Sequence, residues 1–300
     1  MADTIYTNTG GLRQDLLNAL KTIQEAQTPL VSRLKSSVAT QKLHEWPSDR
    51  INVATTNNAA VEGADFSAAA VQNFTQSTNY CQIVRQDFAI SGSMEGSGVY
   101  AGIASQVAYQ KTKSLKKIGM DLEWAILQAT GNSGASATSA REMVGLPTWA
   151  ANAYSAVSAT ATIAITALGS SSGESKFNDV CQALFNKGVI PDFAYTNGQG
   201  KRQVSAWTAK VTPYHEMQDK KLPAQVAIYE GDFGVIEFLY TPNSGANLIV
   251  GLMENLRIAY RRRPFSWVQG VRGDSWPVIV LGEATLEVLD PLSVGVVALT

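Results

Sequence analysis

From Gly98 to Gly131 small and apolar residues recur at helical spacing: Ile103, Val107, Leu115, Ile118, Leu122, Ala125 and Ala129. Lys111, Lys113, Lys116, Lys117 and Asp121 fall mostly on other faces, and no proline interrupts the run. A period near 3.6 predicts one long helix rather than a strand. A glycine-rich run before it and Gly131 after it suit the two ends. At 1.5 Å per residue this helix would span roughly 48 Å, longer than the usual helix of a compact domain. It therefore needs support along its length, or it is a strut in something larger.

Before that run, residues 12–26 predict a short amphipathic helix that Pro29 ends. The stretch from Thr28 to Trp46 reads as an extended polar arm, too irregular to build its own core. Residues 51–79 lack helical periodicity, with a turn at Glu62-Gly63-Ala64-Asp65, and residues 80–91 alternate as a strand. Two extended arms around a turn form a long hairpin, which is marginal in water without a neighbour.

After Gly131 the pattern is loose to about Ser172. Residues 175–186 predict a helix with Phe177, Val180, Cys181 and Leu184 inward and Gly188 past its end. A short strand reaches Thr196, and Asn197-Gly198 reads as a turn. From residue 224 the chain is mostly strand, broken by turns at 241–243, 270–274 and 290–291. The fold class is α+β, with no internal repeat.

Three hundred residues suit one large domain or two small ones. A net charge of −1 excludes an overall basic field for nucleic acid, though not a local patch. Charged residues are 16% of the chain, below the roughly 25% of soluble domains. This suits a protein that hides its surface against neighbours, and equally an ordinary neutral one. Cys81 and Cys181 make no disulfide framework and read as reduced thiols. No signal-peptide pattern opens the chain, and no apolar stretch is long enough for a membrane span.

Catalytic patterns are weak. His44-Glu45-Trp46-Pro47-Ser48 and His215-Glu216-Met217-Gln218-Asp219 both lack the second histidine of a zinc H-E-x-x-H helix. Gly96-Ser97-Gly98-Val99-Tyr100-Ala101 matches a dinucleotide loop, G-x-G-x-x-A, between a strand and a helix. The acids that follow, Asp121 and Glu123, lie in the same helix, and no βαβ unit is present, so the run reads better as a flexible helix entry. Arg261-Arg262-Arg263, ahead of Pro264-Phe265, could meet phosphate or a carboxylate across an interface, or be a solvated strand end. Nothing assembles a nucleophile, a base and an orienting group, so no enzyme, cofactor or metal site is expected.

Several stretches taken in order carry a resemblance: Thr28-Pro29-Leu30-Val31-Ser32, Glu45-Trp46-Pro47-Ser48-Asp49 and Val61-Glu62-Gly63-Ala64-Asp65, then Asn79 to Ile83, Ala108-Tyr109-Gln110 and Asp121-Leu122-Glu123. Asp232-Phe233-Gly234, Arg263-Pro264-Phe265, Gly273-Asp274-Ser275 and Glu283-Ala284-Thr285-Leu286-Glu287 complete it. The chain resembles the major capsid proteins of tailed bacteriophages, with the Hong Kong 97-like fold. The resemblance implies an N-terminal arm (1–45), an extended loop (46–92) lying over a neighbouring subunit, and a peripheral domain (93–149) with a spine helix. It further implies an axial domain (150–245) around five-fold and six-fold axes, and remaining peripheral strands with the C-terminus (246–300).

The implied function is structural. Copies would assemble as hexamers and pentamers into an icosahedral head around double-stranded DNA, touching the genome without reading its sequence. Separate scaffolding and portal proteins, and decoration proteins, would be partners; the location would be the virion, assembled in the host cytoplasm, with no membrane. Subunit-interface residues would be Thr28, Pro29, Leu30, Arg33, Leu34, Glu45, Trp46, Asp49, Glu62, Gly63 and Asp65. Gly92, Gly96 and Gly98 would form a hinge where the loop meets the helix, and deleting residues 1–40 would leave the core folded but block closed shells. Some family members crosslink through a loop lysine; residues 51–86 contain no lysine, so that donor is excluded. The short arm leaves little room for a fused scaffolding domain. The alternatives are a nucleotide-binding enzyme using Gly96–Ala101 and an encapsulin-like compartment shell.

Overall fold

The computed structural model describes residues 28–49, 73–96, 103–134, 138–154, 161–207, 228–245, 247–270 and 273–299, together with 51, 57, 59, 61–63, 65 and 136. The helix expected at 12–26 and Gly98 lie outside them.

The long helix exists but is shorter than the periodicity suggests. Of the described elements, α1 spans Pro29–Arg33, β1 Lys35–Val38, β2 Leu43–Ser48, β3 Thr75–Tyr80, β4 Gln82–Ser91, α2 Gly92–Gly96 and α3, the spine, Gln106–Gln128. At 23 residues, α3 spans roughly 34 Å. Its start is set by caps rather than by apolar spacing. The Ser105 hydroxyl accepts from Ala108 N. The Glu95 carboxylate, on α2, accepts from Ser105 Oγ (2.6 Å), Gln106 N (2.9 Å) and Val107 N (3.2 Å). These amides have no partner inside the helix, and a negative charge is favoured beside them. At the far end Gly131 adopts φ +88° and turns the chain into a small hairpin, β5 (Thr130–Asn132) and β6 (Glu142–Val144).

The spine lies across a four-stranded sheet of order β1-β12-β13-β4, where β12 is Leu256–Val268 and β13 is Ser275–Val288. Ile118, Leu122 and Ala125 share a core with Leu256, Ile258, Val278, Val280, Ala284 and Leu286. Two expectations change here. The arm is not free: β1 pairs in parallel with β12, and Leu30 on α1 is fully buried. The strand after Tyr80 is not the second arm of the loop either. Residues 82–91 pair with β13, while the loop base is β2 with β3, in register from Leu43↔Tyr80 to Ser48↔Thr75.

A six-stranded sheet of order β7-β14-β11-β8-β10-β9 forms the other half. It comprises β7 (Ala161–Ile163), β8 (Phe193–Thr196), β9 (Ile228–Gly231), β10 (Gly234–Tyr240), β11 (Asn247–Gly251) and β14 (Val294–Leu299). The chain reaches β7 through helix α4 (Leu146–Tyr154), and helix α5 (Ser171–Asn186) follows it. Phe177, Val180, Cys181 and Leu184 on α5 face inward as expected, against Trp207, Phe238, Leu248 and Val297. Gly188 (φ +81°) lies just past the helix end. Asn197-Gly198 is not a bare turn: Asn197 Oδ1 accepts from Gly200 N (2.7 Å) and caps helix α6 (Gly198–Val204). The strands expected after residue 224 form, but they divide: β11 and β14 join the six-stranded sheet and β12 and β13 the other. The range 246–300 therefore serves both halves, and Phe193, Tyr195, Ile249 and Val296 meet the spine helix in one core.

Candidate assembly surface and its internal supports

The residues expected at subunit contacts fall into two groups. Leu30, Leu34 and Trp46 are inside the subunit itself, so the expectation that they meet a neighbour is corrected. Each is an apolar side chain in a polar stretch, and the chain's own spine and sheet supply the cover. Trp46 Nε1 donates to Val288 O (2.8 Å), and its ring lies 5.8 Å from Trp149. Thr28 and Pro29 are half-buried. Arg33 is exposed and makes a bidentate pair with Glu237 on β10 (2.5 and 2.9 Å). Glu45, on the outside of the loop base, accepts from Gln76 Nε2 (2.9 Å). Asp49, Glu62, Gly63 and Asp65 are exposed, with Glu62 and Gly63 in a turn as expected.

Of the expected hinge, Gly92 is held: its N–H donates to Asp274 O (2.6 Å), and an added Cβ would lie 2.6 Å from Asp274 Oδ1. Gly96 closes α2 with nothing within 4 Å of an added Cβ. The remainder of the dinucleotide-like run, 97–101, lies outside the described residues.

The arginine run is organised by a carboxylate whose pairing with it the sequence did not reveal. Glu283, on β13, is fully buried. It accepts from Arg261 Nη1 (3.0 and 3.1 Å), Arg262 Nε (2.8 Å) and Arg141 Nη2 (3.1 Å). Arg263 instead sits 5.5 Å over the Tyr260 ring. The signal was a glutamate, one of two with Glu287, inside the largely apolar strand run Val278–Val288.

Glu123 is the second buried acid, and it ties arm, spine and six-stranded sheet together. Its oxygens accept from Leu30 N (3.1 Å), Val31 N (2.8 Å) and the Tyr195 hydroxyl. Burial raises its pKa, outweighing those three donors, which favour the anion. A carboxyl raised in the folded state contributes stability that is complete below its unfolded value, about 4.3, and is lost as pH rises through the folded value. Urea unfolding of wild type and Glu123→Gln from about pH 4 to 7 is expected to show their stability difference moving in the variant's favour as pH rises. A difference flat with pH would contradict this.

The His215-Glu216-Met217-Gln218-Asp219 run lies outside the described residues. Burial pushes the Cys81 thiol up to about 11 and the Cys181 thiol to about 12, so neither is a thiolate nucleophile at neutral pH. Among the described residues no group of three or more His, Cys, Asp or Glu side chains could hold a metal ion. No helix among them is long and apolar enough to cross a membrane.

Among the described residues stand two sheets sharing one core, exposed residues beyond a paired loop base, and charge clusters that brace the subunit. A family model described as SU10 major capsid protein matches residues 2–300. The chain belongs to that family. It is a structural protein of the phage head shell. No curated protein matches this capsid protein, but solved structures do. A Microbacterium phage Oxtober96 chain superposes with a TM-score of 0.70 at 10% identity, covering 100% of both chains. The capsid of a native GTA particle gives 0.68 at 13%, again covering 100% of both. The cyanophage A-1(L) capsid gives 0.64 at 14%, covering 98% of this chain and 99% of the other. At such identities the likeness concerns fold, and it is the Hong Kong 97-like fold expected from the sequence.

Proposed function

We propose that this capsid protein closes a double-stranded DNA head as hexamers and pentamers of itself, each copy laying its extended loop over a neighbour. The family match across residues 2–300 carries this reading. Its physical support is the loop: exposed Ile51, Val61 and Phe74 extend from a two-stranded base that makes no core of its own beyond β2 and β3. The six-stranded half would pack around the axes, and the spine sheet with the loop around the periphery. The subunit itself performs no catalysis. Scaffolding and portal proteins would be separate chains, and decoration proteins would supply strength that a loop lysine crosslink cannot. Contact with DNA would be through phosphates without base readout. The copies would assemble in the host cytoplasm.

Truncation of residues 1–40 is no longer the right test, because it removes Leu30 and β1 from the core. The loop is the better target. Ser48 and Thr75 are paired, so a two-residue Asn-Gly turn can join them. Replacing residues 49–74 in this way is expected to leave a folded, soluble subunit that forms no closed shells by electron microscopy. Normal shells from that variant would overturn the role of the loop.

A further inference from the structure

Among the described residues, the first half of the spine keeps one seam uncovered. Ala108, Thr112 and Leu115 are exposed, Leu115 to 41%, and Gly119 is half-buried. Spaced by four, three and four residues, they line up on one side of α3, the spacing with which one helix receives another. The Thr112 hydroxyl donates to Ala108 O (3.1 Å), so the one polar side chain of the seam is already satisfied. Lys111 and Lys116 flank the seam, and neither makes an ion pair among the described residues, whereas Lys117 is paired with Asp121 (3.0 Å).

The described chain enters the body beside this seam. A Cβ added at Gly119 would meet Thr28 Cγ2 at 3.7 Å, and α1 then runs on to Glu123, one turn along the spine. The residues before Thr28 therefore arrive at the Gly119 end of the seam. Among them Leu12, Leu16, Ala19 and Ile23 repeat the same spacing of four, three and four. Each row runs eleven steps, about 16 Å of helix. Ile23 is five residues from Thr28, a reach of up to about 17 Å.

We propose that residues 12–26 dock as a helix on this seam of their own chain, parallel to α3. Leu12 then lies at Ala108, Leu16 at Thr112, Ala19 at Leu115 and Ile23 at Gly119. The bulkiest residue of each row meets a small one of the other, which is how facing helices fill space without voids. Asp15 falls on the flank that carries Lys116, one heptad on, where charges pair across a parallel seam. The docked segment gives the first half of the spine an apolar neighbour on its solvent side. The contact lies within one subunit and does not depend on the shell reading.

Disulfide trapping in the full-length protein tests this. Leu16→Cys/Thr112→Cys sets two thiols at one level of the seam. In Leu16→Cys/Lys113→Cys the second thiol is turned away by about 100°. The native Cys81 and Cys181 are buried. Under diamide, the first pair is expected to close an intrachain disulfide at least about tenfold faster than the second, because bridging demands Cα atoms within roughly 7 Å. Adding Leu115→Asp to the first pair is expected to slow closure about fivefold, since docking would bury the new carboxylate. Circular dichroism checks that each variant is folded, and non-reducing gels separate intrachain from interchain products. Equal rates for the two pairs, or a rate that Leu115→Asp leaves unmoved, would overturn the docking. Interchain products in place of intrachain ones would overturn it in favour of a neighbour's spine.

Discussion

Glu283→Ala is expected to destabilise the subunit by about 3 kcal/mol, at the lower end of the range for breaking a buried charge pair. Among the described residues Glu283 is the anion that Arg141, Arg261 and Arg262 contact in that cluster, and it is fully buried. Removing it leaves three like charges converging on a methyl group. The figure stays low because the arginine side chains remain 21%, 37% and 42% exposed and can turn toward water. Arg263→Ala, one residue along, removes a cation that faces an aromatic ring instead. It should cost under about 1 kcal/mol. Urea unfolding of both variants gives the comparison. Equal losses would mean that the cluster is ordinary surface charge, and a change under about 1 kcal/mol in Glu283→Ala would place it with exposed pairs. The cluster also holds β12 where its bulges lie, between Tyr260 and Phe265.

What could be read from sequence follows from the range of each interaction. Helix α5 and the strands after residue 224 were legible because apolar period and turn residues are local signals, and Gly188 marks the helix end within two residues. The spine was legible as a helix but not in length. Its start is set by Glu95, ten residues before Ser105, and side-chain caps from a separate element leave no period in the chain. The arm failed for a related reason. Leu30 and Leu34 stand among polar residues, and what buries them is a helix some 93 positions away by the Glu123 contact and a strand still further on. An isolated apolar residue shows that it needs cover, not whose cover it receives. Here the cover is intramolecular, whereas Glu45, Asp49, Glu62 and Asp65 stay exposed. The arginine run showed the reverse: its cations were plain, but their counter-charge lay 21 or more residues away in an apolar strand. The pairing of β4 with β13 likewise joins residues far apart in the chain, from Ser91↔Ser275 to Gln82↔Ala284, beyond any local turn rule. Motif order across the full length, rather than any one pattern, carried the family.

Trp46→Ala should be the most damaging single change at the loop base. The ring is 5% exposed, lies between Trp149 and His44 at 5.8 and 5.4 Å, and donates through Nε1 to Val288 O. Truncating a buried tryptophan leaves a large void, with an expected loss of about 3–5 kcal/mol. Trp46→Phe separates the terms: it keeps much of the apolar volume and loses the hydrogen bond, with an expected loss of about 1–3 kcal/mol. Denaturant unfolding measures both, and equal losses would show that packing is unimportant beside the bond. The position matters because the loop leaves the body two residues later, at Ser48 paired to Thr75. Trp46 fastens that exit to β13, the strand at the centre of the four-stranded sheet. With phenylalanine the subunit should stay folded while the exit direction loosens. Under assembly conditions that give wild-type shells, Trp46→Phe is therefore expected to give fewer closed particles and more open or irregular ones by electron microscopy. Regular shells at wild-type yield would show that the loop's direction is set elsewhere.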